Sequence, residues 1–440
     1  MPNAQPRDAD AQLIRAIGVP GLTANIVNTT IGAGIFVLPA LVAKGLGAAA
    51  PVAFLLCAGA MVLFVTCFAL AGSRVSLTGG LYAYVEVAFG RYVGFLAGVL
   101  LFTTAVLSVA GIVNLFAGTM AAVVPALGGS VGQSATVFLV FAFLAALNVR
   151  GVRVGTAAVA TVTLAKLIPL LIFVVGGLFF LKADALAWPG WPGSKAVGDS
   201  VLLLIFAFFG IEVALVPSGE VRNPTRTVPR AIYAALAVTT VLYILIQLAA
   251  QGILGPRLSQ NTISPLAEAA ALFLGNTGRL LLLAGATISA FGFVTSDILS
   301  SPRVLFALAR DGILPRWFGH VHPRFRSPDV AIITYATLAF AFSFSSTFES
   351  LAVMANVAAL LLYILCCAAA WELMRRDVRG NGAPFTFRGA KAVPPVAIAV
   401  SVWILAHATA REFLVTAIVL AVGSALYVLR VKLAGTSRRG

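Results

Sequence analysis

The chain has 440 residues, 60% hydrophobic and only 10% charged, with a mean hydropathy of +1.01. Soluble domains carry about 25% charged residues, so a water-soluble protein is excluded. The net charge of +15 would suit nucleic acid, but its distribution along the chain, set out below, is that of a membrane protein's loops and excludes that partner.

Residues 1–17 are expected to form a polar tail with no signal-peptide pattern, so that the first span is retained. Apolar segments of the roughly 20 residues that cross a bilayer as helix then follow one another to the end of the chain. Twelve are expected, centred near Gly32, Leu63, Val106, Leu139, Leu170, Phe208, Leu242, Gly292, Tyr335, Leu361, Trp403 and Ile418. Alternate loops carry nearly all the cations, among them Arg74, Arg91, Arg150, Arg153, Arg222, Arg226, Arg230, Arg303, Arg310, Arg324, Arg375 and Arg388. The opposite loops hold only Lys44, Lys182, Lys195, Arg257, Arg279 and Arg411. The positive-inside rule puts the cation-rich side in the cytoplasm, with both termini there and an even number of spans. WPGWPG, Trp188 to Gly193, reads as an interfacial anchor on the outer side.

Two spans are interrupted. The first, from about Pro20 to Ala43, carries Ile31, Gly32, Ala33 and Gly34 ahead of Pro39; the sixth carries Phe206, Phe208, Phe209, Gly210 and Glu212 ahead of Pro217, Ser218 and Gly219. Inside a bilayer an interruption is tolerated only where it faces protein or a watery cavity. A matched pair of interruptions, one in each half of a chain, is the sequence pointer to a transporter's binding site. Amides of the helix that resumes after the first break suit a carboxylate, and carbonyls freed in the second suit an ammonium group. A small-residue packing face explains the glycines alone equally well. The phenylalanines taken singly fit lipid-facing bulk.

Three ionisable residues lie inside spans: Lys166, Glu212 and Asp297. A charge at a helix centre costs roughly 2.5–3.5 kcal/mol on insertion scales, so such groups face cavities, pair, or carry protons. Burial disfavours the charged form of Lys166 and of Glu212 alike, which suits a proton switch. The alternative is a static ion pair, and for Asp297 the nearby Arg303 is the natural partner. Cys57, Cys67, Cys366 and Cys367 all sit in apolar segments and read as packing residues. His320, His322 and His407 do not cluster with cysteines or carboxylates, and no metal site, cofactor or enzymatic motif is found.

GAGIFVLP in the first span, FAFFGIEVALVPSGEVRNPTRTVPRAI from Phe206 to Ile232, and FGFVTSDILSSPRVLFALARDGILP from Phe291 to Pro315 resemble the amino acid–polyamine–organocation permeases. The resemblance runs over nearly the whole chain. It implies an all-α integral membrane protein with a LeuT-like fold: two inverted five-helix repeats, residues 18–185 and 198–375, then two further helices in 392–430 and a tail at 431–440. It also implies that Ile31, Gly32, Ala33 and Gly34 donate to a substrate carboxylate. Phe206 is implied as an aromatic gate, Phe209 as the carbonyl taking the amine with Gly210 beside it, and Thr104 of the third span as a neighbour of the substrate. Glu212 stands at a proton-sensitive position. Lys166 stands where sodium sits in sodium-coupled relatives, with Ser289 as its hydroxyl partner. Asp297 departs from the neutral or aromatic residues expected there, leaving a contact with substrate or with Arg303.

The expected function is secondary transport of amino acids across the cytoplasmic (inner) membrane by alternating access, as proton-coupled uptake of neutral amino acids. Exchange of cationic amino acids or polyamines is the alternative within the class. A channel would need a continuous pore lined by rings of charge or carbonyls, and an enzyme a nucleophile, metal cluster or acid–base pair; the chain offers neither.

Overall fold

In a computed structural model, residues 18–75, 80–151, 156–188, 190–212, 221–310, 314–379 and 383–436 are described. Residues 1–17, Arg153, Pro189, Pro217, Ser218, Gly219, Arg438 and Arg439 lie outside them. Among the described residues the regular structure is helical throughout. Fifteen α-helices follow in order: α1 Val19–Thr30, α2 Leu38–Leu46, α3 Ala50–Gly72, α4 Leu81–Phe89, α5 Arg91–Val123, α6 Ser130–Val149, α7 Thr156–Gly177 and α8 Ser194–Leu204. The rest are α9 Pro224–Leu254, α10 Pro265–Ser300, α11 Pro302–Arg310, α12 Asp329–Ser343, α13 Phe348–Arg375, α14 Val393–Leu405 and α15 Ala410–Thr436. Among the described residues, seven helical stretches are long and apolar enough to cross a membrane.

Proline marks several starts. It occupies the first turn of α1, α2, α3, α9, α10 and α14, where its missing N–H has no helical partner to lose. Burial separates interior from periphery. In α5 and α13, 72% of the apolar window is buried by protein, against 22% for α6 and 17% for α15. Helices apolar all round are at home in either place, protein core or lipid. The long α5 packs along α13, α10 and α12 and forms the spine of the molecule, while α9 packs on α1, α3 and α7. Helix α10 bends at Gly275, whose φ of 62° is non-helical.

One apolar helix carries polar atoms that the packing does not serve. On α9, Gln247 is fully buried, and neither its Nε2 nor its Oε1 finds a hydrogen-bond partner among the described residues; the hydroxyls of Thr239 and Thr240 are likewise unpartnered there. An unmet buried polar group costs about 1–3 kcal/mol. Gln247→Leu is therefore expected to leave stability unchanged or to raise it by about that amount, read as a higher unfolding midpoint in detergent. A lower midpoint would show that the amide is bonded in the native protein.

Candidate functional site

The first break begins where α1 stops at Thr30. Ile31 leaves the helical region (φ −74°, ψ 83°), Gly32 is extended, and a 3-10 turn over Ala33–Phe36 leads through Val37 into α2. Two of the four amides expected to be free are engaged: Ile31 N–H donates to Val27 O at 2.9 Å and Gly32 N–H to Thr30 O at 2.8 Å. Bonding in a 3-10 turn runs from i to i+3, so the turn that opens at Ala33 leaves the amides of Ala33 and Gly34 without a helical partner. The donor pair of this break is thus confined to the second half of the expected quartet, because the Ile31 amide closes the last α-helical bond of α1 and the Gly32 amide turns back to Thr30 O.

The second break is built the other way round. Helix α8 ends at Leu204, a 3-10 turn covers Ile205–Phe208, and Phe209 turns extended with ψ 147°. Gly210 follows at φ +102°, in the left-handed half of the map, where a side chain is strained. Space closes the same door: a Cβ on Gly210 would sit 2.6 Å from Thr29 O, a backbone atom of the other break. The two 3-10 turns touch.

Hydroxyls and one ammonium tie the breaks together. Thr29 Oγ1 lies 3.2 Å from Gly210 O as well as close to Asn25 O and Ile26 O of its own helix. Tyr243, from α9, places its hydroxyl 3.0 Å from Thr30 O and 2.9 Å from Ala207 O. Lys166, on α7, is buried and donates from Nζ to Asn28 O at 2.5 Å. Asn28 O is among the last carbonyls of α1, which have no partner in their own helix, and a cation there also meets the negative end of the helix dipole.

Between the breaks lies a small cavity with room for little more than a water molecule, about 20 Å3. Ala33, Gly34, Phe206, Phe209 and Tyr243 line it. Phe206 closes one side: its ring packs on Phe209 at 5.3 Å and edge-on against Phe348 of α13 at 5.4 Å, and the space over Gly34 that a Cβ would take is filled by the same ring.

The remaining expected residues divide. Glu212 is buried and accepts from the Tyr363 hydroxyl at 3.1 Å, with the backbone amides of Gly210 and of Glu212 itself turned toward its carboxyl. Ser289 is buried, but its Oγ bonds neither Lys166 nor any other group among the described residues. Thr104 bonds back to Leu100 O in its own helix, and α5 reaches the cavity two turns further on, at Ile112. Asp297 meets Tyr335 and Ser301 Oγ, the latter at 2.9 Å, rather than Arg303. A hydroxyl one turn away reaches Asp297 without unfavourable stretching, whereas Arg303 is exposed.

Three tyrosines, Tyr243, Tyr335 and Tyr363, hold these carboxylates and carbonyls, and a residue-by-residue reading of the sequence misses all three. A signal exists: a tyrosine inside an apolar span carries a hydroxyl that must find a partner when buried, and the chain has only eight tyrosines.

The chain matches the family model described as amino acid permease over residues 17–431. It is 29% identical over 411 residues to the serine/threonine exchanger SteT of Bacillus subtilis, covering 90% of this chain and 91% of that protein. It is 28% identical over 433 residues to the methylthioribose transporter of the same organism (95% and 93%). With the vacuolar cationic amino acid transporter 4 of Arabidopsis thaliana it shares 27% identity over 408 residues (86% and 66%).

Gly210→Ala tests the site's geometry. Both strain and the Thr29 clash resist the new methyl, and the expected outcome is loss of transport with a destabilisation of about 1–3 kcal/mol. Wild-type transport by this variant would mean that the second break does not need its left-handed turn.

Proposed function

This chain belongs to the amino acid permease family, and we propose that it is a secondary active transporter moving amino acids across the cytoplasmic membrane by alternating access, as proton-coupled uptake of neutral amino acids. The observation that carries the reading is the meeting of two oppositely built breaks at one small cavity. Ala33 and Gly34 bring amides suited to a carboxylate, and the second break brings carbonyls suited to an amine. A zwitterion is the simplest solute that satisfies both.

The proposed architecture is twelve spans in two inverted five-helix units, residues 18–185 and 198–375, with the last two spans in 392–430 and both termini cytoplasmic. Helix, or a helix flanking a break, at each of the twelve expected centres supports it, as does the build of the breaks, 3-10 turn after the interruption in one and before it in the other.

A neutral substrate is favoured because no acidic residue lines the cavity among the described residues, while Glu212 and Asp297 already have hydroxyl partners. The proton is assigned to Lys166. Charged, it neutralises the carbonyl end of α1; neutral, it weakens that hold, so that protonation and substrate favour conformations by a real free-energy difference. Glu212 is the second candidate proton carrier, and Ser289 a partner that Lys166 reaches in another conformation. Exchange is the second reading, favoured by the likeness to a serine/threonine exchanger. A relative named for methylthioribose means that family membership alone does not fix the solute.

Uptake of a panel of radiolabelled amino acids into proteoliposomes, with and without an inward-acid gradient, for wild type and Lys166→Ala, tests this. Accumulation that needs the gradient and falls at least about tenfold in the variant, the scale of one lost charged hydrogen bond, is the expected result. Uptake that ignores the gradient but requires amino acid inside would make the protein an exchanger. No uptake of any amino acid would sink the substrate assignment.

A further inference from the structure

Two arginine clusters stand on the side that the proposed topology puts in the cytoplasm, and they treat their charge differently. At the end of α13, Arg375 and Arg376 bond Glu372 at 2.7 and 2.6 Å, and Arg379 bonds Asp377 at 2.6 Å. That cluster carries its own counter-charge. Between α11 and α12, and at the end of α6, Arg150, Arg316, Arg324 and Arg326 are exposed, and none meets a carboxylate within ion-pair distance among the described residues. From 310 to 330 the sequence holds two acids, Asp311 and Asp329. Asp311 lies outside the described residues, and Asp329 is taken by His320 Nδ1 at 2.7 Å.

The bare arginines sit on fixed backbone. The His322 amide donates to Ser327 O and the Arg326 amide to His322 O, both at 2.9 Å, which closes the loop on itself. Arg326 accepts a φ of +56° in that turn, a conformation an L side chain rarely adopts. The closed loop is fastened to the end of α6: Ser327 Oγ donates to Val149 O at 2.5 Å, and Phe325 O lies against Gly151. Arg150 and the pair Arg324 and Arg326 thus share one place, although they are far apart in sequence. A 3-10 turn over Arg316–Gly319 packs on α11 and α12 and adds Arg316.

The cluster also stands at a particular depth. Helix α6 ends at Val149 and α12 begins at Asp329, so these residues lie just beyond the ends of two proposed spans, where headgroups are. Trp317 is 55% exposed, its ring stacked on Phe318 with centroids 3.6 Å apart, and Val321 is exposed beside it. Tryptophan is favoured at the boundary between bilayer and water. Cations next to a span attract anionic lipid, and here they have no counter-charge of their own among the described residues.

We propose that the loop from Arg316 to Arg326, with Arg150, is a binding surface for an anionic phospholipid. The lipid phosphate supplies the counter-charge and meets guanidiniums, whose planar fork matches it, while the upper part of the chains packs beside Trp317. One lipid headgroup so held fastens α6 and α12, which pack on each other, to the same leaflet. The surface does not depend on which solute is carried. Only its assignment to the cytoplasmic leaflet rests on the topology proposed above.

The test uses the full-length protein in phosphatidylcholine nanodiscs. Both leaflets have the same composition there and no transport is read, so a wrong solute or a reversed topology leaves the result untouched. Phosphatidylglycerol with chains brominated near the glycerol is titrated in, and quenching of Trp317 is read as the difference between the protein with Trp317 and Trp317→Phe. Brominated phosphatidylcholine is the reference lipid. The anionic lipid is expected to quench at lower mole fraction. Arg324→Gln is expected to lower that preference about fivefold, the scale of one cation at a charged surface, whereas Arg376→Gln, which removes a cation that already has a carboxylate, leaves it unchanged. Arg316→Gln carries the same expectation as Arg324→Gln and stands in for it should that variant not fold. Equal quenching by the two lipids, or an unchanged preference in both Arg316→Gln and Arg324→Gln, would overturn the proposal. An equal loss in Arg376→Gln would overturn it as well, by marking the field of the whole protein rather than a site. Loss of the preference on adding inorganic phosphate at constant ionic strength would give the surface to a free anion and not to a lipid.

Discussion

A break in a membrane helix exposes backbone amides and carbonyls where water is scarce, and each must be bonded by something else. This requirement organises the centre of the molecule. Four groups from three elements meet it: the Thr29 hydroxyl on Gly210 O, the Tyr243 hydroxyl at Thr30 O and Ala207 O, the Lys166 ammonium on Asn28 O, and the Gly32 amide on Thr30 O. Thr29 belongs to one break and serves the other, while Tyr243 and Lys166 come from α9 and α7. The two breaks are therefore a single bonded assembly, although about 175 residues separate them in sequence and neither is a regular helix. Gly210 is where the assembly is tightest, because its left-handed turn brings it against the Thr29 carbonyl.

The same accounting limits how the assembly can move. Three of its four anchors are side chains, and side-chain bonds can be exchanged for others at little net cost when a new partner is supplied, whereas a backbone ladder cannot. Leaving a buried group unpartnered costs about 1–3 kcal/mol, so any shift of one break against the other must be accompanied by a substitute donor or acceptor. Ser289 Oγ, buried and unpartnered among the described residues, is one such reserve. The amides of Ala33 and Gly34 are another. Phe206 sets the steric side of the problem: wedged on Gly34 and against Phe348, it must turn before the cavity can grow to hold more than water. Ring rotation out of a packed site and bond exchange at the breaks are then parts of one event.

Much of this is legible in the order of the residues. Composition alone gives a membrane protein, and the run of apolar segments gives its helices, because a lipid-exposed or buried span must be apolar along its whole length. The two breaks are visible as glycines and proline inside such runs. How the broken backbone is bonded is not. Four free amides from Ile31 to Gly34 would require an open strand, while α1 runs on far enough to bond the Ile31 amide and the turn at Gly32 folds its own amide back on Thr30 O. Proximity in sequence pairs Asp297 with Arg303; Tyr335, from α12, and Ser301 take that place. The family resemblance sets Thr104 beside the substrate, but helical periodicity brings Ile112 to the cavity and turns the Thr104 hydroxyl back to its own helix. In each case the deciding partner lies on another helix or in the local turn of the chain, and the one-dimensional pattern carries no record of it.

The distribution of charge within the core also bears on how a proton and a solute would be linked. Glu212 and Asp297 each sit with a tyrosine hydroxyl as donor, an arrangement that serves a carboxylate and is weakened when the acid is protonated, since the protonated group becomes a donor itself. Lys166 differs. Its partner is a backbone carbonyl at the end of α1, and the helix end presents further carbonyls without helical partners whether or not the lysine is charged. Removing its proton therefore subtracts charge from the negative end of a helix whose next residues form the cavity wall. Of the three ionisable groups in the spans, it is the one whose protonation acts directly on the backbone of the first break. A link between proton and solute that ran through Asp297 would first have to pass through a tyrosine and then through packing, and packed contacts transmit a charge change far less directly than a bonded carbonyl does; one through Glu212 would act on the second break, where the Gly210 amide faces its carboxyl.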